Sequence, residues 1–333
     1  MTVSSTQPVY FVLLPGTLLV DLAGPADAVR LANRYQRAVR FVSTFVGPAP
    51  AVSTSVGVTL SDLGPLPSSL PTNAMVVVCG TVTDMDAPKA RQIVATWLRH
   101  VARPSHRLVF VCAGALVAAE AGLLDGRLCT THHEDCDALR ALAPKARVLD
   151  NRLYVSDGNV YTSAGVTAGL DLMLAIIADI AGPKCSVGIA RHMVVYARRT
   201  GADPQLSPWL EGRNHIHPGL HRVQDAIAAD PARAWTAATL AAVAHTSARH
   251  LTRLFQSHTA MSPLDYVHLL RVALARELLT NSTLDLEHVA ERSGFASSRQ
   301  LRRVWNKYNT LPPSQSRQTF GQSQPKVPAV THP

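Results

Sequence analysis

The chain has 333 residues, a net charge of +9 and a mean hydropathy of +0.09, which gives room for two domains, each with its own core. Hydrophobic residues make up 47% and aromatics only 5%, so the cores are expected to be built from Ala, Val and Leu; no apolar run is long enough to span a bilayer, residues 1–8 lack a signal-peptide pattern, and the scattered Cys79, Cys112, Cys129, Cys136 and Cys185 fit neither a disulfide framework nor a metal site. The charge is uneven: residues 1–190 carry 15 Lys+Arg against 14 Asp+Glu, and the remainder 17 against 9, as a neutral body joined to a phosphate-binding one would be.

In chain order, residues 9–14 (Val-Tyr-Phe-Val-Leu-Leu) form an apolar run stopped by Pro15-Gly16, the pattern of a strand buried on both faces of a parallel sheet. A helix is expected over 24–35, strands over 39–45 and 74–79, a helix over 87–101, a strand over 108–112 and a helix over 115–121. Alternation at this spacing implies βαβ units and a doubly wound, mostly parallel sheet. At the joint after the last strand, Cys112-Ala113-Gly114 forms a tight strand-to-helix turn. Such a turn presents its residue at the carboxyl end of the sheet beside helix N–H groups, which are expected to stabilise a thiolate there. A small buried thiol packing as a hydrophobe fits the same position.

Several stretches resemble the PfpI/ThiJ-like branch of the glutamine-amidotransferase-like superfamily. They are Leu14-Pro15-Gly16 with Asp21-Leu22-Ala23-Gly24-Pro25, Val111-Cys112-Ala113-Gly114 with Glu120-Ala121-Gly122-Leu123-Leu124-Asp125-Gly126, Thr130-Thr131-His132, and the run from Thr162 to Asp171. The resemblance implies a flavodoxin-like α/β domain over 8–183, with Cys112 at the nucleophile position and Asp21 as its acidic partner. Ala113 departs from the family, which often places His or Thr there, so a usual activator or proton relay is missing. His132 is the remaining candidate base, and Gly114 completes the turn. Asp21 also fits as a brace for the turn at Gly24-Pro25.

After Gly182-Pro183 the character changes. A helix is expected over 189–199 and a linker, rich in Pro, Gly and His, over 200–218, so that 184–218 connects the domains. From 220 onward the pattern is helical and contains a repeat. Leu240-Ala241 matches Val289-Ala290 at an offset of 49, and Arg249, Leu251, Arg253 and Phe255 match Arg299, Leu301, Arg303 and Trp305 at an offset of 50. Each copy reads as helix, turn, helix, with an apolar edge for packing and a basic edge free to face a groove. Thr246 or Ser247 and Ser297 are the expected caps, Gly294 marks the second turn, His245 stands in the first, and a helix over 264–279 joins the copies.

This repeat, with Ser262-Pro263-Leu264-x-Tyr266 and Arg271, resembles the AraC/XylS family, and both halves together resemble its GlxA-type regulators. The resemblance implies an all-α DNA-binding domain over 219–320, with recognition helices over 248–256 and 298–306. Ala260 and Asn309 replace glycines that usually end those helices, Asn309 in an expected left-handed conformation. Arg249, Thr252, Arg253, Ser298, Arg299, Arg302 and Arg303 are the expected contacts to double-stranded DNA. Asp21, Cys112, Ala113, Gly114 and His132 line a candidate effector pocket or a vestigial catalytic site.

The reading is a cytoplasmic, nucleoid-associated transcriptional regulator, a homodimer through its first domain, with a possible small-molecule effector, no cofactor, no metal and no membrane. The alternative is a Cys-dependent hydratase or amidase carrying a DNA-binding domain. Residues 321–333 are expected to be a disordered tail.

Overall fold

The computed structural model describes residues 5–82, 87–195, 199–309 except 202, 204, 206, 210 and 214, and 312–314. Packing divides the chain into two compact units at residues 205/206.

The first unit opens with β1 (Ser5–Val12), α1 (Leu19–Tyr35) and β2 (Val39–Gly47). Short strands β3 (Val52–Ser53), β4 (Thr59–Leu60) and β5 (Gly64–Pro65) precede β6 (Met75–Val78). Then come α2 (Ala87–Val101), β7 (Arg107–Val111), α3 (Gly114–Glu120), β8 (Leu128–Cys129), α4 (Cys136–Leu142) and β9 (Arg147–Val148). The hairpin β10 (Tyr154–Asp157) and β11 (Val160–Ser163) leads to α5 (Thr167–Ala181) and α6 (Pro183–His192).

Seven strands form one sheet in the order β10-β11-β7-β6-β1-β2-β5, parallel except for β10 at one edge. This is the expected doubly wound sheet, with the order of strand addition reversing between the parallel neighbours β1 and β6. Strand alternation sorts the core into two layers. Val9, Phe11, Met75, Val77, Val109 and Val111 face α1, α5 and α6. Val12, Val76, Val78, Leu108 and Phe110 face α2, α3 and α4. Each such side chain fully withdrawn from water contributes roughly 1.5–3 kcal/mol.

Several sequence boundaries move, beginning with β1, which spans Ser5–Val12 and not 9–14. α1 begins at Leu19, not 24, which carries Asp21 into its first turn. The helix expected over 189–199 is α6, Pro183–His192, because Pro183 occupies the first helical turn, where its missing N–H is harmless. α6 packs on α1 and α5, so the first unit runs past the expected boundary at 183 to residue 205. Residues 196–198 and the expected tail 321–333 lie outside the described residues.

The second unit is helical: α7 (Pro218–Ala229), α8 (Ala237–Val243), α9 (Ala248–Thr259), α10 (Pro263–Asn281), α11 (Leu286–Arg292) and α12 (Ser298–Tyr308). It holds two small cores. Leu220, Val223, Ile227, Leu240, Leu251, Phe255, Tyr266 and Leu270 form one. Val272, Ala275, Leu279, Val289, Phe295, Leu301, Val304 and Trp305 form the other. The long α10 therefore serves both copies, its first half packed on one and its second half on the other.

Candidate nucleic-acid interface and cysteine elbow

Side-chain caps set the start of both candidate recognition helices. Ser247 Oγ accepts from His250 N at 3.2 Å, and Ser297 Oγ accepts from Gln300 N at 3.3 Å. The apolar edges are buried as the repeat requires: Leu251 with Phe255 in α9, Leu301 with Trp305 in α12. The opposite edges are exposed, and they carry Arg249, Thr252 and Arg253 on α9 and Arg299, Arg302 and Arg303 on α12. Thr252 donates its hydroxyl back to Ala248 O at 2.9 Å, which commits that hydrogen within the helix and leaves the oxygen as an acceptor beside the methyl. Ser298 is half-buried, and its backbone N–H donates to Glu287 Oε1 at 3.3 Å, which ties it to the helix start.

The turns differ between copies for a physical reason. His245, Ala260 and Gly294 all have positive φ, at 54°, 56° and 83°. His245 and Ala260 are exposed, so a side chain there meets open solvent. A Cβ on Gly294 would lie 2.6 Å from Ala232 O and 2.9 Å from Arg271 Nε, so only glycine fits. Asn309 corrects the sequence expectation: it is extended, with φ −136°, and not left-handed. Its side-chain amide donates to Trp305 O at 3.1 Å and its Oδ1 accepts from Arg276, so side-chain bonding finishes α12.

In the first unit, Cys112 sits at the elbow between β7 and α3 with φ 55°. Strain of this kind is retained where surrounding contacts overdetermine it. Gly80 and Gly165 supply the room: a Cβ on either would lie 2.6 Å and 2.2 Å from Cys112 Cβ. Asp21 is fully buried beside it. Asp21 Oδ1 accepts from Val166 N at 2.6 Å, while Oδ2 has no hydrogen-bond partner of standard geometry. Asp21 therefore braces the turn before α5, not the one at Gly24-Pro25. Ala113 and Gly114 are buried behind Cys112, and Gly114 lies against the Val78 carbonyl.

The electrostatics run against an activated thiol. Burial, and then the Asp21 carboxylate, push the Cys112 thiol well above its ordinary range, which overturns the expected thiolate at the helix start. Burial also raises Asp21 from 3.8 to about 6, opposed by hydrogen bonding from Val166. His132 Nδ1 lies 3.8 Å from Glu134 Oε2 and its ring packs on His133 at 4.3 Å. Among the described residues no hydrogen bond joins His132 to Cys112. Asp21 and Cys112 are thus brought together, and the candidate base is not. The described residues contain no cluster of His, Cys, Asp and Glu suited to a metal ion.

Sequence reasoning missed three groups. Glu287 holds the start of α12. His250 Nδ1 lies 3.0 Å from Arg253 and joins the α9 edge. Gln205 Nε2 donates to Thr131 O at 2.7 Å, while Thr131 Oγ1 donates to Cys112 O at 2.9 Å. No local pattern announces Gln205, since its partner is 74 residues away.

A doubly wound body with a cysteine elbow, followed by a duplicated helix-turn-helix unit, defines a class of transcriptional regulator. Comparison with known proteins agrees. The DJ-1/PfpI family matches residues 7–179, and the family described as helix-turn-helix domain matches residues 240–319. The HTH-type transcriptional regulator GbdR of Pseudomonas aeruginosa is 32% identical over 324 residues, covering 96% of this chain and 87% of that protein. The HTH-type transcriptional regulator GlxA of Rhizobium meliloti is 30% identical over 324 residues, covering 95% and 97%. An isonitrile hydratase of Pseudomonas putida is 31% identical over 175 residues, covering 52% of this chain and 71% of that enzyme. The chain belongs to the AraC-type DNA-binding transcriptional regulators that carry a DJ-1/PfpI domain. Its full-length similarity runs to regulators, and the enzymatic alternative falls with that assignment.

Proposed function

We propose that the chain binds DNA as a homodimer held through its first unit, that α9 and α12 enter successive major-groove faces, and that the elbow senses a small molecule. The single observation that carries the reading is the pair of matched basic edges. Arg249 and Arg253 on one helix, and Arg299, Arg302 and Arg303 on the other, are exposed above buried apolar edges. Arginine is suited both to phosphates and to the paired acceptors of guanine. Ser298 acts mainly through its place at the helix start, and Thr252 through its acceptor oxygen and methyl.

Two tethers support the sensing half of the proposal. Gln205, at the end of the first unit, holds Thr131, which holds the Cys112 carbonyl. Arg199 clamps Asp171 and Thr167 at the start of α5, next to the Gly165-Val166 turn that contacts Cys112 and Asp21. A change at the elbow is thereby handed to the segment that leads into the DNA-binding unit. The protein works in the cytoplasm at the nucleoid; among the described residues no helix is long and apolar enough to cross a membrane.

The test is the double variant Arg253→Ala/Arg303→Ala, titrated against a DNA duplex enriched by the parent protein from a random-sequence pool. Loss of two base or phosphate contacts is expected to weaken binding about a hundredfold. Unchanged affinity would sink the proposal.

A further inference from the structure

We propose that Arg271 is a positioning residue that fixes the separation and rotational phase of the two recognition helices. The inference rests on the reading that α9 and α12 are those helices.

Each helix-turn-helix copy has its own core, and the two cores meet on α10. Leu270 belongs to the first and Val272 to the second. Arg271 stands between them and is 9% exposed. Its Nε donates to Pro231 O at 2.9 Å, and its terminal Nη2 donates to Arg233 O at 2.8 Å. Both carbonyls lie in the loop that leads into α8 of the first copy. The guanidinium carbon lies 5.9 Å from the ring centroid of Phe295, in the turn of the second copy. His268, one turn back on α10, also stacks on that ring, at 6.3 Å between centroids.

The loop and the turn also touch directly. The notional Cβ of Gly294 would meet Ala232 O and Cα at 2.6 and 2.7 Å. The loop is itself held in shape: Arg233 N donates to Asp230 Oδ1, Trp235 Nε1 donates to Asp230 O, and Arg233 lies over the Trp235 ring. One planar cation therefore joins three parts: the ordered entry to the first copy, the connecting helix, and the turn of the second copy. Its two donors point in fixed directions, so it sets an angle as well as a distance.

Without Arg271, the copies remain joined by α10 and by the backbone contact between Ala232 and Gly294, but lose the cation that fixes their rotation about α10. On DNA, a roll is a change of phase, and each base pair corresponds to about 35° of rotation. A residue needed only for folding would lower affinity for every site equally. A residue that sets phase would instead change how strictly the spacing between half-motifs is read.

The experiment enriches duplexes from a random-sequence pool with the full-length parent, then inserts one base pair between the two half-motifs. The parent is expected to enrich paired motifs about one helical turn apart and to lose about tenfold on the insertion. Arg271→Met is expected to bind the original duplex more weakly and to lose no more than about twofold further on the insertion. Arg271→Lys, which reaches one carbonyl in place of two, carries the comparison if the Met variant fails to fold, and its loss on insertion is expected to fall between those values. An insertion loss equal to the parent's in the folded variant overturns the role of Arg271 alone. A parent pool without paired motifs overturns the two-helix reading, and this inference with it.

Discussion

At the residue scale, the elbow carries a titration with a definite sign. Asp21 rises from 3.8 to about 6 because it is buried. A carboxyl that holds its proton more tightly when folded contributes stability that is complete below pH 3.8 and lost as pH rises through about 6. Asp21→Asn cannot ionise and keeps an oxygen for Val166 N. Its stability relative to the parent is therefore expected to improve by about 2 kcal/mol between pH 4 and pH 7. Urea midpoints of the first unit's transition across that range measure it, and parallel curves for the two proteins would contradict it. The same carboxylate raises the Cys112 thiol, so the pair is arranged for a neutral thiol beside an acid, not for a nucleophile. The structure brings the two residues together, and of the two sequence readings of Cys112 the buried thiol, not the stabilised thiolate, agrees with its surroundings. Burial depth cannot be read from a strand-turn-helix pattern, and the Asp21–Val166 bond spans 145 residues.

At the scale of elements, legibility followed pattern strength. α2 has its expected bounds, and β6 is the middle of the apolar run from Ala74 to Cys79. The repeat located α9, α11 and α12 because two copies had to agree. The β10–β11 hairpin was missed although Asp157-Gly158 marks its turn, since Tyr154–Asp157 is a short edge strand with little apolar signal. The clamp between Arg199 and α5 was also silent, because nothing near Asp171 in sequence names its partner. Arg199 Nε and Nη2 donate to Asp171 Oδ2 at 2.9 and 2.6 Å, and the Asp171 side chain is 5% exposed. Burial raises the Asp171 carboxyl even with this partner in place. Arg199→Ala leaves a buried carboxylate unpaired and is expected to cost about 2 kcal/mol. Adding Asp171→Asn to that variant should recover part of the loss. If the single and double variants unfold at the same midpoint, the clamp carries no such weight.

At the scale of the whole molecule, the charge split weights the salt dependence toward the second unit. Residues 1–205 carry a net +3 and residues 206–333 a net +6. Binding that neutralises phosphates releases counterions, so the logarithm of the association constant falls with the logarithm of salt at a slope of about −0.9 for each phosphate contacted. The exposed arginines of α9 and α12 give at least one such contact each if they grip the backbone and none if they read only bases. Arg302→Ala and Arg303→Ala are therefore expected to flatten the slope by about one each where the arginine meets a phosphate. Where it meets a base, affinity falls at an unchanged slope and selectivity relaxes at one position. The matching controls are Arg30→Ala, whose side chain pairs with Asp27 on the exposed face of α1, and Arg40→Ala on exposed β2. Both remove a positive charge and keep the recognition helices intact, so both are expected to leave the slope unchanged. A slope that responded equally to Arg30→Ala and Arg303→Ala would mean that net charge, not the two basic edges, drives binding. Titrations of the enriched duplex at several salt concentrations distinguish the two.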